Sequence, residues 1–252
     1  MGHVERNRAA WNDYSEEYQR VNAPQIRGQA FTGELAWGTW NIPESQLQIL
    51  GDVTGKAILE FGCGGAQWSM ALARHGARPI GLDLSDNQLA HARALMDEAD
   101  LHLPLVQGSG EQLPFKGESF DIVFADYGAF TFADPLRTVP EAARVLRRGG
   151  LLAFSILGPL YEITTPADSD HAGDRLVYDY FGMRSFQEPD GMVEFNLPYG
   201  EWIGLFVENG LAIERLIETR PAEDAVSTYR DAEDLAWSRR WPSECIWRLR
   251  KS

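Results

Sequence analysis

The run Ile58-Leu59-Glu60-Phe61-Gly62-Cys63-Gly64-Gly65-Ala66 constrains the fold more than any other part of the 252-residue chain. Apolar residues end in an acid, glycines cover the turn, and a helical pattern follows over 66–75. Lacking side chains, Gly62 and Gly64 let the backbone turn sharply and approach a ligand closely. Such a ligand sits at the carboxyl end of the strand and against the helix N-terminus, the usual place in an open α/β sheet. Read alone, the glycine pattern also fits a plain tight turn, and it opens dinucleotide-binding folds as well.

The residues around it alternate in the same way. Apolar strands are predicted over 57–61, 78–83, 103–106, 120–125 and 151–156. Helices are predicted over 66–75, 86–98 and 138–146, the last stopped by Gly149-Gly150. Strand and helix alternating at this spacing predict a parallel sheet with crossover helices. Both faces of such a sheet are covered, which explains why the strands are apolar almost throughout. An apolar content of 44% is enough for that core. Upstream, 7–20 predict a polar helix with Trp11, Tyr14 and Tyr18 on one face. A loop over 21–42 and a short helix over 44–50 follow. Residues 158–198, with Gly158-Pro159, an acidic tract and several aromatics, break the rhythm and predict a lid or insertion. A helix over 198–209 with Gly210 as its C′ residue, then strands over 211–218 and 245–250, add an antiparallel piece at one sheet edge. The expected organisation is one domain over 1–252. A helical cap takes 1–50, a core 57–156, a lid 158–198, and a helix with strands 199–252.

Asp83 ends the second strand, 23 residues after Glu60. A carboxylate there can accept hydrogen bonds from both hydroxyls of a ribose. Asp also caps helices well, but Ser85 and Asp86 are better placed to cap the helix that follows. The formal charge of −14 repels phosphate backbones, so no nucleic-acid partner is expected. Cys63 and Cys245 are too few for a disulfide scaffold, and no metal-ligand spacing surrounds them. The first residues carry no apolar leader, and position 6 is Arg where a myristoylation start needs Ser or Thr. No run reaches the roughly 18 apolar residues of a membrane span. A cytoplasmic location without a membrane partner is therefore expected.

Together, the glycine turn, Asp83, the segment Gly108-Ser109-Gly110-Glu111-Gln112-Leu113-Pro114-Phe115 before Ser119-Phe120-Asp121-Ile122-Val123, and Ala142-Ala143-Arg144-Val145-Leu146-Arg147-Arg148-Gly149-Gly150-Leu151-Leu152 come in a specific order and spacing. In these motifs the chain resembles the class I S-adenosylmethionine-dependent methyltransferases of small-molecule type, strongly over 57–156 and more loosely over 10–50 and 195–252. Two positions depart from the family: Ala66 stands where a third glycine falls, and Ser109 where an acid is usual. The resemblance implies a doubly wound, Rossmann-like α/β fold with a mostly parallel seven-stranded sheet and one antiparallel late strand, besides the N-terminal helix and the lid.

The resemblance also implies site roles. The turn at Glu60, Gly62 and Gly64 holds the methionine end of S-adenosylmethionine, and Asp83 the ribose. Leu84, Ser109, Gly110 and Glu111 surround the adenine. The Ala125 carbonyl takes the methionine ammonium, and Tyr14 and Tyr18 close over the cofactor. Core packing is the competing reading for these tyrosines and for Trp11. Trp37 and Trp40 either line the acceptor pocket or anchor their loop. On the acceptor side, Tyr127 lies just beyond the fourth strand, and His171 in the lid is a candidate base. No metal is expected.

Methyl transfer is an in-line displacement that mainly needs alignment and exclusion of water. The sequence therefore leaves the acceptor, and the oxygen, nitrogen or carbon methylated, open. Two other readings remain. One is a protein of the same fold that binds the cofactor without transferring its methyl group. The other is an NAD(P)-dependent oxidoreductase, although no Tyr-x-x-x-Lys pair is present. No Asn-Pro-Pro-Tyr-like tetrapeptide marks a nucleic-acid or protein methyltransferase; Ala125-Asp126-Tyr127-Gly128 stands there.

Overall fold

The computed structural model describes residues 2–187 and 191–252. Met1, at the start of the expected cap, and residues 188–190, in the expected lid, lie outside the described residues. The elements run, in chain order, α1 (His3–Thr32), β1 (Ala36–Trp37), β2 (Ile42–Pro43), α2 (Glu44–Leu47), β3 (Ala57–Phe61), α3 (Gln67–Arg74) and β4 (Arg78–Asp83). Next come α4 (Asp86–Glu98), β5 (Leu105–Gln107), β6 (Phe120–Asp126), α5 (Gly128–Phe132), α6 (Pro135–Val145) and β7 (Leu146–Leu157). The chain continues through α7 (Pro159–Thr164), β8 (Ser185–Gln187), β9 (Val193–Phe195), α8 (Tyr199–Glu208), β10 (Leu211–Glu218), α9 (Ala232–Ser238) and β11 (Glu244–Lys251).

Seven strands form one sheet in the order β10-β11-β7-β6-β3-β4-β5. The pairs β3·β4, β3·β6, β4·β5 and β6·β7 are parallel, and β11 is antiparallel to both β7 and β10. From β3 the chain winds outward to β4 and β5 on one side and to β6 and β7 on the other. That reversal leaves a crevice at the carboxyl ends of β3, β4 and β6, where open α/β sheets bind ligands.

Successive residues of each strand enter different layers. Leu59, Val123, Leu152 and Phe154 pack with Trp202, Phe206 and Trp247 on one side. Ile58, Phe124, Leu151 and Ala153 pack with Trp37 and Trp68 on the other. Burial on both faces is what makes the strands apolar at consecutive positions.

Three boundaries differ from expectation. The first helix does not stop at residue 20. It runs through Pro24 to Thr32, so most of the expected 21–42 loop is helical. A proline inside a helix costs about 3 kcal/mol in isolation. Here Ile26 and Ala30 beyond it are buried against Met70, Leu95 and Met96, and that packing holds the last turns. The sixth helix ends at Val145, before the glycine pair, and β7 already begins at Leu146. The short helices α5 and α9 left no periodic trace, because helices of five and seven residues are too short to show one. Among the described residues no helix is long and apolar enough to cross a membrane.

Candidate active site

The turn after β3 is clamped to β4. The amides of Gly62 and Cys63 donate to the Leu82 carbonyl at 2.8 and 2.9 Å. The Gly64 amide donates to Asp83 Oδ2 at 2.7 Å, and the Ser85 amide to Oδ1 at 2.8 Å. Gly62 has φ +88°, and a Cβ there would fall 2.6 Å from Gly128 Cα and from the Ala129 nitrogen. Its missing side chain therefore admits α5, while the residue itself also lines the cleft described below. Gly64, at φ +50°, faces open space apart from Gln88 Oε1 at 3.7 Å. Ala66, where the resemblance places a third glycine, also takes a left-handed conformation, φ +57°, and starts α3.

A cleft of about 900 Å³ opens on this turn. Glu60, Asp83 and Asp126 bring three carboxyls to it. None of its lining residues among those described is Lys, Arg or His. Burial raises the Glu60 carboxyl to about 8, against two hydrogen bonds from Ser69, and raises that of Asp126 to about 6. Burial also raises Asp83, against backbone amide bonds that pull it down. Two amide side chains on the wall keep a buried atom without a partner, Gln67 Oε1 and Gln88 Nε2. Buried polar atoms are normally hydrogen-bonded, so these two stand out on the wall. An acidic wall without a counter-cation favours a ligand that brings positive charge.

Raised carboxyls carry a stability consequence. An acid whose pKa is higher folded than unfolded holds more protons in the folded state between the two values. Stability then falls as pH rises through that window, here from 4.5 to about 8 for Glu60. Asp126 and Asp83 act in the same direction. So does His171, which its Asp231 hydrogen bond raises. Carboxyls held low by arginines, such as Glu141 and Glu214, act below this window. The ligand-free chain is expected to melt roughly 5 °C lower at pH 8 than at pH 5, and Glu60→Gln to shrink the gap. Melting curves at the two pH values check this; an undiminished gap in the variant counts against Glu60 as the source.

Of the residues singled out in the sequence, Tyr18, Glu60, Gly62, Gly64, Asp83, Leu84, Ser109, Gly110 and Tyr127 line this cleft. Four do not. Tyr14, 42% exposed, lies outside it and packs edge-on against Tyr18 at 6.0 Å. Glu111 bonds His3 and accepts from the Asp134 amide at 3.0 Å, so it ties α1 to the start of α6. Ala125 is fully buried within β6, and the next residue, Asp126, reaches the cleft instead. His171 bonds Asp231 at 3.0 Å, beside Asp234, and none of these three lines the cleft. Trp37 and Trp40 are buried, and Trp37 packs on Trp68 and Phe124, so they anchor their loop. Sequence reasoning missed Asp126, Gln67 and Gln88 as wall residues. Their signal was position, at the end of β6 and in the first turns of α3 and α4.

A second cleft of about 680 Å³ shares the walls Trp11, Tyr18, Gln67, Asp126, Tyr127 and Phe132 with the first. Gly38, Thr39 and Tyr229 line it too, together with the amides Gln25, Gln29 and Asn41. Its aromatic walls interlock: Trp11 meets Tyr18 and Phe132 edge-on at 5.3 and 5.0 Å, and the Tyr18 hydroxyl donates to that of Tyr229 at 3.3 Å. Asp126 stands between the clefts. It accepts from the Gly38 amide at 2.9 Å, Ser155 Oγ at 2.5 Å and Trp68 Nε1 at 3.1 Å. Tyr127 beside it has φ +63° and ψ −91°, unusual for a bulky residue. Its amide donates to Ser155 Oγ at 3.0 Å, and its hydroxyl to Glu244 Oε1 at 2.6 Å.

Comparison with known proteins agrees with this geometry. A family model described as a methyltransferase domain matches residues 59–154, from β3 to β7. The demethylmenaquinone methyltransferase of Lactococcus lactis is 33% identical over 150 residues, 58% of this chain and 56% of that protein. That of Listeria welshimeri is 38% identical over 103 residues, 39% of this chain and 44% of that protein. The chain thus matches about half the length of these curated relatives. A crystal structure of an S-adenosylmethionine-dependent methyltransferase from Mesorhizobium loti superposes with a TM-score of 0.67 at 25% identity, covering 82% of this chain and 96% of that one. Residues 59–154 thus match a methyltransferase domain, and the chain is similar in sequence and fold to S-adenosylmethionine-dependent methyltransferases.

Proposed function

We propose that the chain binds S-adenosylmethionine in the first cleft and transfers its methyl group to a small molecule in the second. One observation carries this reading: an acidic cleft without cationic residues, at the switch point of the sheet, adjoins an aromatic one. Asp83 holds the ribose hydroxyls, since each oxygen spends one lone pair on an amide and keeps another. Gly64, Glu60 and Asp126 face the charged methionine end. Leu84, Ser109 and Gly110 flank the adenine, with Gln67 and Gln88 offering their free atoms. When bound, the cofactor supplies a methyl group already activated by a positively charged sulfur. Trp11, Tyr18 and Phe132, shared by both clefts, exclude water and fix the line of approach. In this reading residues 1–50 cap the cleft, 57–156 form the core, 158–198 an insertion, and 199–252 complete the sheet.

The acceptor is small and partly aromatic, which suits the second cleft. The curated relatives are methyltransferases named for demethylmenaquinone. The reading includes a cytoplasmic place of action and no nucleic-acid partner, because a net charge of −14 repels phosphate backbones. A nicotinamide dinucleotide fits poorly, because its pyrophosphate would meet three carboxyls and no cation. Calorimetric titration with S-adenosylmethionine tests the proposal, with NADH as comparison. Binding of the first alone, at micromolar order or tighter (about −8 kcal/mol or better), is expected. Binding of NADH, or of neither, overturns it. Transfer of labelled methyl to candidate acceptors then separates an enzyme from a cofactor-binding protein.

A further inference from the structure

Glu244, the first residue of β11, is only 1% exposed. Its Oε1 accepts from the Tyr127 hydroxyl at 2.6 Å, from the Thr39 amide at 2.8 Å and from Thr39 Oγ1. Its Oε2 is buried and has no partner. A buried oxygen left without a bond costs about 1–3 kcal/mol, and folds rarely keep one without a use. Tyr127, Gly38 and Thr39 all line the second cleft, so this carboxylate stands directly behind its wall. The backbone at Tyr127 sits at φ +63°, a conformation that costs about 1–3 kcal/mol and tends to occur at functional sites.

We propose that Tyr127 and Glu244 form a proton relay behind the second cleft, and that the acceptor is a hydroxyl-bearing aromatic methylated on that oxygen. This deepens the methyl-transfer reading above and rests on it. As the acceptor oxygen attacks, its proton passes to Tyr127 Oη, and the tyrosine's own proton passes to Glu244. The O–H electron pair stays on the acceptor oxygen and forms the bond to the methyl carbon. The carbon–sulfur pair leaves with the sulfur. A hydroxyl, a sulfonium and a carboxylate thus become a methyl ether, a thioether and a carboxylic acid, and charge balances. Burial and Glu244 hold the Tyr127 phenol well above its ordinary range, so it hands a proton on and does not act as a phenolate. Among the charges around the phenol, Arg230 pulls it down and Asp126 pushes it up. Arg230 also takes part in a bond with the Tyr161 hydroxyl, at 2.7 Å, which fixes its place.

The test uses the full chain with 2-naphthol, its methyl ether and the more acidic 1-nitro-2-naphthol. By titration, 2-naphthol is expected to bind about tenfold tighter than its ether, the worth of one charge-assisted hydrogen bond. Tyr127→Phe removes that preference. Glu244→Gln keeps it, because the amide oxygen still accepts from Tyr127 but cannot take up a proton. In turnover, Glu244→Gln is expected to lower kcat on 2-naphthol about 100-fold, and on the nitro compound about tenfold, with KM little changed. A merely structural glutamate would lower both rates alike. Equal losses, no hydroxyl preference in the unaltered chain, or methylation of naphthalene-2-thiol in place of 2-naphthol each overturn the relay. Titration of the same samples with S-adenosylmethionine keeps the two proposals apart. Failure there removes the methyl-transfer reading, while the hydroxyl preference is still measured by binding.

Discussion

Asp83→Ala is expected to lower the affinity for S-adenosylmethionine about 100-fold and to leave the chain folded. Hydrogen bonds to a charged group contribute about 1.5–3 kcal/mol each, and in the proposed site two ribose hydroxyls meet this carboxylate. Losing about 2.7 kcal/mol between them is a hundredfold in Kd. The substitution also frees the Gly64 amide, which Asp83 Oδ2 holds at 2.7 Å, so the turn beneath the cofactor loosens as well. Stability should change by no more than about 1 kcal/mol. Ser85, not Asp83, caps α4 by accepting from the Gln88 amide, so the helix keeps its cap. The buried carboxyl, moreover, is held above its ordinary range by burial, so its charge is no asset to the ligand-free fold. Asp83→Asn keeps an acceptor oxygen and loses the charge, and an intermediate loss of about tenfold follows. Calorimetry on the three proteins, with melting curves alongside, checks the ranking. Unchanged affinity in Asp83→Ala would remove the ribose role.

Much of this molecule was legible in the chain, for a physical reason. A strand buried on both faces is apolar almost without interruption, and 57–61 coincides with β3; 78–83 and 211–218 coincide with β4 and with the exposed edge strand β10. Residues 86–98 coincide with α4, whose capping serine could be read directly. The glycine turn and Asp83 were legible because a tight turn and a lone carboxylate at a strand end leave few alternatives. What escaped depends on distant packing. Nothing near Pro24 tells that α1 continues, since Met70, Leu95 and Met96 supply the surface that holds it. Glu111 was read as a ligand loop because its neighbours Ser109 and Gly110 are at the cleft. Its actual partners, His3 and Asp134, come from two other helices' starts. Glu244 could not be read at all. A glutamate opening an edge-region strand is unremarkable until the fold brings Tyr127 and Thr39, more than a hundred residues away, to its carboxylate.

Gly62→Ala should lower the melting temperature by roughly 10 °C, and Gly64→Ala by roughly 3 °C, although only Cys63 separates the two glycines in the same turn. The new methyl at Gly62 would lie 2.6 Å from Gly128 Cα and the Ala129 nitrogen. Both are backbone atoms, so no side chain can rotate away. Helix α5 would have to move, yet Phe130 within it stacks on Phe154 at 4.0 Å in the core. Overpacking of this kind costs about 1–3 kcal/mol, and holding alanine at φ +88° adds about 1 kcal/mol or more. At Gly64 the methyl meets only Gln88 Oε1 at an ordinary 3.7 Å, and φ +50° lies in the left-handed region that alanine enters for about 1 kcal/mol. Its effect should fall on ligand binding, because the space it fills is the cleft. The two substitutions therefore part in opposite ways: Gly62→Ala weakens the fold more than the site, and Gly64→Ala the site more than the fold. Thermal melts and cofactor titrations of both variants decide it. A Gly64→Ala protein that binds as the original does would mean that this glycine turns the chain without touching the ligand.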